Sequence, residues 1–253
     1  MIVLISPAKR LNLEDSIHIE TNTKPVFIKE AEHLVKKLRK NTPQQLSKLM
    51  GISKNLAELN NKRFLDWSKD EITSRQAVFT FDGDVYSGLD AYSLTRRDIK
   101  YAQKYLRILS GLYGILRPLD GLHPYRLEMG TKFKIQQHAD LYGFWWQEIT
   151  RQINQEISET ESQAVLNLAS NEYSKVINRA ELSEKFVDVT FKDKKNGEYK
   201  VISFNAKKAR GMMARFIIKN KVKNIEDLKD FSDNGYVFSS KNSSSDALMF
   251  LKN

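Results

Sequence analysis

Between Ser110 and Gly130 the sequence gathers Arg117, Asp120, His123, Tyr125, Arg126 and Glu128 among four glycines and two prolines. Cations beside carboxylates are the residue types that hold an anion and move a proton. With Lys9, Lys207 and Arg210 from elsewhere, Arg117 and Arg126 would hold an anionic group. Glu128 or Asp84 would then serve as general acid or base, because a carboxylate near several cations keeps a usable charge. A nucleotide, a base or a phosphorylated metabolite suits such a site. Glycine and proline break regular structure here while the apolar residues demand burial, and long irregular segments inside compact domains often form binding or active-site loops. The same residues fit a second arrangement, a self-packed loop with Arg117 and Arg126 paired to Asp120 and Glu128. Neither G-x-x-x-x-G-K-[ST] nor G-x-S-x-G occurs, so the expectation is a pocket at Lys9, Asp84, Arg117, Arg126 and Glu128 with no catalytic residue assigned.

The absence of cysteine narrows the chemistry further. It excludes disulfides, thiolate catalysis, iron–sulfur ligation and cysteine-based zinc sites within this chain. The four histidines, His18, His33, His123 and His138, show no i, i+4 pairing and no H-E-x-x-H spacing. They read as surface or structural residues, and neither a metal nor a cofactor is expected.

A formal charge of +10 favours a polyanionic partner, since Lys and Arg that neutralise phosphates release condensed counterions. Ten basic residues lie between Asp193 and Lys223, against only Asp193 and Glu198. On a helix from about Ala206, the residues Ala209, Met212, Met213, Phe216 and Ile217 share one arc, with Lys208, Arg215 and Lys219 beside it. Residues 42–64 read as two short helices. Thr42, Pro43 and Gln45 open the first with a capping box, and Gly51 ends it. Ser53 caps the second, whose Leu56, Leu59 and Phe64 are expected to face the first. The early backbone amides at Ser53, Lys54 and Asn55, with the helix dipole, could hold a phosphate without reading a base. The expected DNA contacts are therefore Gly51, Ser53, Lys54, Asn55, Lys62 and Arg63 at the hairpin, and Lys207, Lys208, Arg210 and Arg215 on the later helix.

Both sets of residues need a scaffold. Runs rich in β-branched and aromatic residues predict strands at Ile2–Ile5, Val78–Phe81, Val165–Leu168, Phe186–Phe191, Tyr199–Phe204, Tyr236–Ser239 and Leu248–Leu251. Asn196-Gly197 predicts a type I′ hairpin. Helical periodicity marks Ile28–Arg39, Asp98–Leu109 and Leu141–Ile157. The class is α/β or α+β, a mixed sheet with flanking helices, expected as one domain over residues 1–253. No apolar run is long enough to span a bilayer, and the start lacks the basic region of a signal peptide, so a cytoplasmic location is expected.

Seven motifs in order give a resemblance. They are Ser6-Pro7-Ala8-Lys9, Phe81-Asp82-Gly83-Asp84-Val85-Tyr86, Leu109-Ser110-Gly111-Leu112-Tyr113-Gly114, Leu116-Arg117-Pro118-Leu119-Asp120, Tyr125-Arg126-Leu127-Glu128-Met129-Gly130, Asn167-Leu168-Ala169-Ser170 and Ala206-Lys207-Lys208-Ala209-Arg210-Gly211. The chain resembles the YaaA family of bacterial peroxide-stress proteins from Met1 to its final strand. The resemblance implies a cytoplasmic α/β protein of uncommon topology that binds double-stranded DNA, bent or branched forms included, through a helix-hairpin-helix and a positively charged cleft. It also implies protection against hydrogen peroxide by limiting free iron. Two departures are Arg10, where relatives often have Thr, and Ser53 in place of a hairpin glycine. A monomer is favoured. Without a thiol, a thiol peroxidase or cysteine sensor is excluded.

Overall fold

The structure is a computed structural model that describes residues 1–17, 19, 21–69 and 75–253. His18 lies outside the described residues. The chain opens with β1 (Ile2–Ile5) and the short β2 (Arg10–Leu11), followed by α1 (Ile28–Leu38), α2 (Pro43–Met50) and α3 (Lys54–Asp66). Next come α4 (Ala77–Thr80), β3 (Phe81–Asp82), α5 (Asp84–Leu89), α6 (Arg96–Tyr105), β4 (Leu106–Ser110) and β5 (Gly114–Leu116). The second half contains α7 (Leu141–Thr160), β6 (Val165–Asn167), α8 (Asn171–Ser174), β7 (Phe186–Lys195), β8 (Glu198–Lys200), α9 (Ser203–Asn220), β9 (Tyr236–Phe238) and β10 (Ala247–Lys252).

The main sheet runs β5-β4-β1-β6-β7-β10-β9, with β8 attached to β7. From β4 to β10 the neighbours are parallel, while β5 and β9 add antiparallel edges. The fold is therefore a mixed α/β sheet flanked by helices. All four residues of β1, Ile-Val-Leu-Ile, are buried, and α7 and α9 both pack on this strand. A parallel strand covered by helices reads as a continuous apolar run for this reason. The hairpin at Asn196-Gly197 forms with φ of 54° and 83°, values that suit Asn and Gly.

One topological detail bears on function. From β1 the chain leaves toward β4 on one side, and from β6 it leaves toward β7 on the other. The adjacent strands β1 and β6 thus form a switch point, where connections diverge and a crevice opens beyond the carboxyl ends of the strands.

Three expected elements differ from the observed ones. Val78–Phe81 is not a strand: Ala77–Thr80 form a helical turn, with Thr80 Oγ1 donating to the Gln76 carbonyl, and only Phe81–Asp82 pair with β2. The run is buried on all sides, so it carries no period to distinguish the two states. The helix expected over Asp98–Leu109 stops at Tyr105, and Leu106–Ser110 form β4 beside β1. Its pattern continued the helical period by chance, and pairing with the central strand overrides it. The strand expected over Tyr199–Phe204 ends at Lys200, because α9 already begins at Ser203.

Residues 42–64 do form two helices joined at Gly51, whose φ is 62°. Thr42 and Gln45 exchange the capping-box hydrogen bonds at 3.3 and 2.8 Å, and the Leu56 amide donates to Ser53 Oγ at 3.4 Å. Arg39 ties the end of α3 to α1 through the Phe64 and Leu65 carbonyls. The packed face of α3 differs from expectation. Ala57, Asn60 and Phe64 are buried, whereas Leu56 and Leu59 are 38% and 43% exposed. Phe64 is buried as expected, while the inward turns before it are taken by Ala57 and Asn60 in place of the two leucines.

Candidate functional site at the carboxyl edge of the sheet

The crevice at the switch point is a cavity of about 670 Å³. Its floor comes from the residues that follow the two central strands. Ser6 after β1 accepts from the Ser170 amide at 2.9 Å, and the two hydroxyls lie 3.3 Å apart. Tyr86 donates its hydroxyl to the Ser6 carbonyl at 3.1 Å. Burial raises the phenols of Tyr86 and Tyr173 well above their usual range, so both side walls stay neutral and act as donors.

One wall is the crossing of α5 and α9. A Cβ on Gly88 would stand 2.1 Å from the Lys208 carbonyl oxygen, and one on Gly211 would stand 1.8 Å from that of Val85. Only glycine permits this backbone approach. The crossing brings Asp84, at the start of α5, beside Lys207 and Arg210 of α9. Lys207 Nζ lies 3.9 Å from Asp84 Oδ2, a loose contact for a side chain that is half exposed.

Arg210 differs from every other cation of the site. It lines the cavity, burial lowers its guanidinium pKa, and among the described residues it has no hydrogen-bond or ion-pair partner. A desolvated charge left unpaired is unfavourable, and an anion from outside would relieve it. The opposite wall holds Glu128, which binds Lys9 Nζ at 3.2 Å and Arg126 at 3.0 and 3.2 Å. Arg10 pairs with Asp82 at 2.5 and 3.1 Å at the rim.

The expected pocket is thus rearranged. Lys9, Asp84 and Glu128 line the cavity together with Lys207 and Arg210, and Arg126 supports Glu128 from behind. Arg117 does not reach it. Its guanidinium holds Asp120 at 2.9 and 3.1 Å and donates to the Lys24 carbonyl, so its place is structural. Segment 110–130 is almost entirely buried and follows the self-packed alternative, with both Arg–carboxylate pairs formed. His123 is likewise internal, its Nε2 2.7 Å from the Ser68 carbonyl oxygen.

The second expected set is divided in the same way. Arg215 caps the end of α5 through the Leu89 and Asp90 carbonyls at 3.1 and 2.9 Å, and Lys219 binds Asp98 at 3.2 Å. These two therefore serve the fold, while Lys208 stays exposed and unpaired among the described residues. At the hairpin, Lys54 is loosely paired to Glu58 at 3.9 Å, Lys62 binds Asp66 at 3.0 Å, and Gly51, Ser53 and Asn55 lie at the exposed turn. Arg63 is partly desolvated, which lowers its pKa. The sequence alone does not single out Ser6, Ser170, Tyr86 and Tyr173 as site residues. Ser6 and Ser170 stand just beyond two predicted strands, but the sequence contains nothing that says those strands are neighbours.

The fold and cavity define an α/β protein with a charged cleft at the carboxyl edge of a mixed sheet. Among the described residues no helix is long and apolar enough to cross a membrane. The chain belongs to the YaaA family of peroxide stress proteins, whose sequence profile matches residues 1–242. It is 49% identical to a UPF0246 protein of Alteromonas mediterranea over 100% of this chain and 98% of that one. A UPF0246 protein of Aliivibrio fischeri is also 49% identical, covering 99% of this chain and 97% of its own length. One from Janthinobacterium is 47% identical over 99% and 98%. A role in peroxide stress follows from this membership.

Proposed function

We propose that the protein binds double-stranded DNA largely without sequence preference, and that this binding limits DNA damage under peroxide stress. The observation that carries the reading is the turn between α2 and α3. There Gly51 takes the left-handed conformation, Ser53 caps α3, and Lys54, 86% exposed, begins α3 next to amides that precede the first intrahelical bond. Lys208 supplies a second exposed cation, and the net charge of +10 favours a polyanion. Phosphate contacts of this kind position a duplex without reading its bases. The same proposal includes a lowering of free intracellular iron. Among the described residues, no group of three His, Cys, Asp or Glu side chains comes together to hold a metal.

Binding to unrelated duplexes across a salt series tests the proposal. The logarithm of affinity should fall linearly with the logarithm of salt, by about 0.9 per phosphate neutralised. The pair Lys54→Glu and Lys208→Glu should weaken binding and flatten that slope. Absence of binding at low salt, or a slope untouched by the two substitutions, contradicts it.

A further inference from the structure

The cavity between β1 and β6 is too mixed in charge to be only a stretch of duplex-binding surface. Its basic end is Arg210, desolvated and unpartnered among the described residues, with Lys207 one turn earlier on α9. Asp84 stands beside Lys207 on that same wall, and the other wall presents Glu128, whose carboxylate can only accept hydrogen bonds when ionised. Between them lie the Ser6 and Ser170 hydroxyls and the phenols of Tyr86 and Tyr173. A ligand that satisfies both ends carries a compact anion at one end and several N–H or O–H donors at the other. Tyrosine walls favour a body with a planar face. Its volume lies within the usual range for small-molecule sites, about 300–1,000 Å³, and such crevices at switch points are where open α/β sheets bind their ligands.

We propose that this cavity is a binding site for a nucleoside monophosphate group, its phosphate on Arg210 and Lys207 and its sugar and base donors on Glu128. The group has two sources: a free mononucleotide, or a nucleotide presented from a DNA strand. The site stands on the cavity alone and does not depend on duplex binding through the hairpin.

The test is equilibrium titration of the full chain, without DNA, with the common nucleoside 5′-monophosphates, the matching nucleosides, ribose 5-phosphate and inorganic phosphate. At least one nucleotide should saturate the protein and bind at least tenfold more tightly than its nucleoside. Arg210→Met should weaken that nucleotide roughly 10- to 100-fold, the size expected for a lost charge-assisted hydrogen bond. Lys207→Met, an exposed position, gives a second reading should the arginine variant fold poorly. Competition by a duplex with one unpaired nucleotide, but not by the intact duplex, assigns the strand-borne source, and failure of both to compete assigns the free nucleotide. No saturation by any nucleotide overturns the proposal. So does binding of ribose 5-phosphate or phosphate as tight as that of the nucleotides, or affinity unchanged in both variants. Because DNA is absent from the titration, its failure leaves the salt-series result standing, and the reverse holds equally.

Discussion

Segment 110–130 and the cavity at the β1–β6 switch point contain the same residue types, yet they treat charge in opposite ways. In the segment Arg117 holds Asp120, whose carboxylate is fully buried and also accepts from the Arg117 amide at 2.8 Å and from Thr23 Oγ1 at 2.5 Å. Asp120 has its partners within the chain itself. In the cavity Arg210 has no protein partner among the described residues, and Lys207 reaches Asp84 only loosely. Density of charged residues in the sequence is therefore a poor guide to a site. What separates the two regions is whether the fold supplies the partner or leaves a place for one.

That contrast predicts different outcomes for removing a charge. The largest effect should follow Asp120→Ala, which leaves Arg117 and Thr23 without their acceptor inside the fold; about 3–5 kcal/mol of stability should be lost, measured by urea unfolding. Gly211→Ala should come next, at about 1–3 kcal/mol, since its Cβ would press on the Val85 carbonyl and force α5 and α9 apart. It should weaken ligand binding as well, because Asp84, Lys207 and Arg210 move with those helices. A loss in Gly211→Ala that spares the cavity would show that the crossing does not position the site.

Arg210→Met should be neutral for the unliganded fold or stabilise it, by up to about 1 kcal/mol, since it removes a desolvated cation and keeps the apolar stem. A loss as large as that of Asp120→Ala would place Arg210 with the structural arginines and erase the contrast. The smallest effect concerns Asp98. Burial pushes its carboxyl upward, but hydrogen bonds from Lys221, Thr95 and Lys219 outweigh this and hold it well below the usual carboxylate range. A lowered folded-state pKa gives stability that is present above the unfolded value, about 4, and lost as the pH falls below it. Lys221→Met should therefore flatten the stability profile below about pH 4 and leave the profile near neutrality with the same shape.

The elements with strong local signals were legible in the sequence. The capping box at Thr42, the left-handed Gly51, the Asn196-Gly197 turn and the helices at Ile28 and Leu141 all formed where the local chemistry placed them. Elements set by tertiary pairing were not. Leu106–Ser110 continued a helical pattern, and only β1 beside it makes it a strand. The site divides along the same line. Lys9, Asp84, Glu128, Lys207 and Arg210 were named as a group, and the structure brings them to one cavity. Arg117 was named with them, because its buried partner Asp120 cannot be told from a catalytic carboxylate by residue type. Ser6 and Ser170 are not legible in the sequence, since their meeting depends on the adjacency of β1 and β6.

The most direct test of the contrast is the thermal unfolding of wild type and Arg210→Met, each with and without a saturating nucleoside monophosphate. Ligand binding to the native state stabilises it by RT ln(1 + [L]/Kd). The account predicts a midpoint that rises with nucleotide in wild type, and an Arg210→Met protein that starts at or above the wild-type midpoint and rises less at the same nucleotide concentration. A variant that unfolds earlier than wild type and still gains the same stabilisation from nucleotide would contradict it.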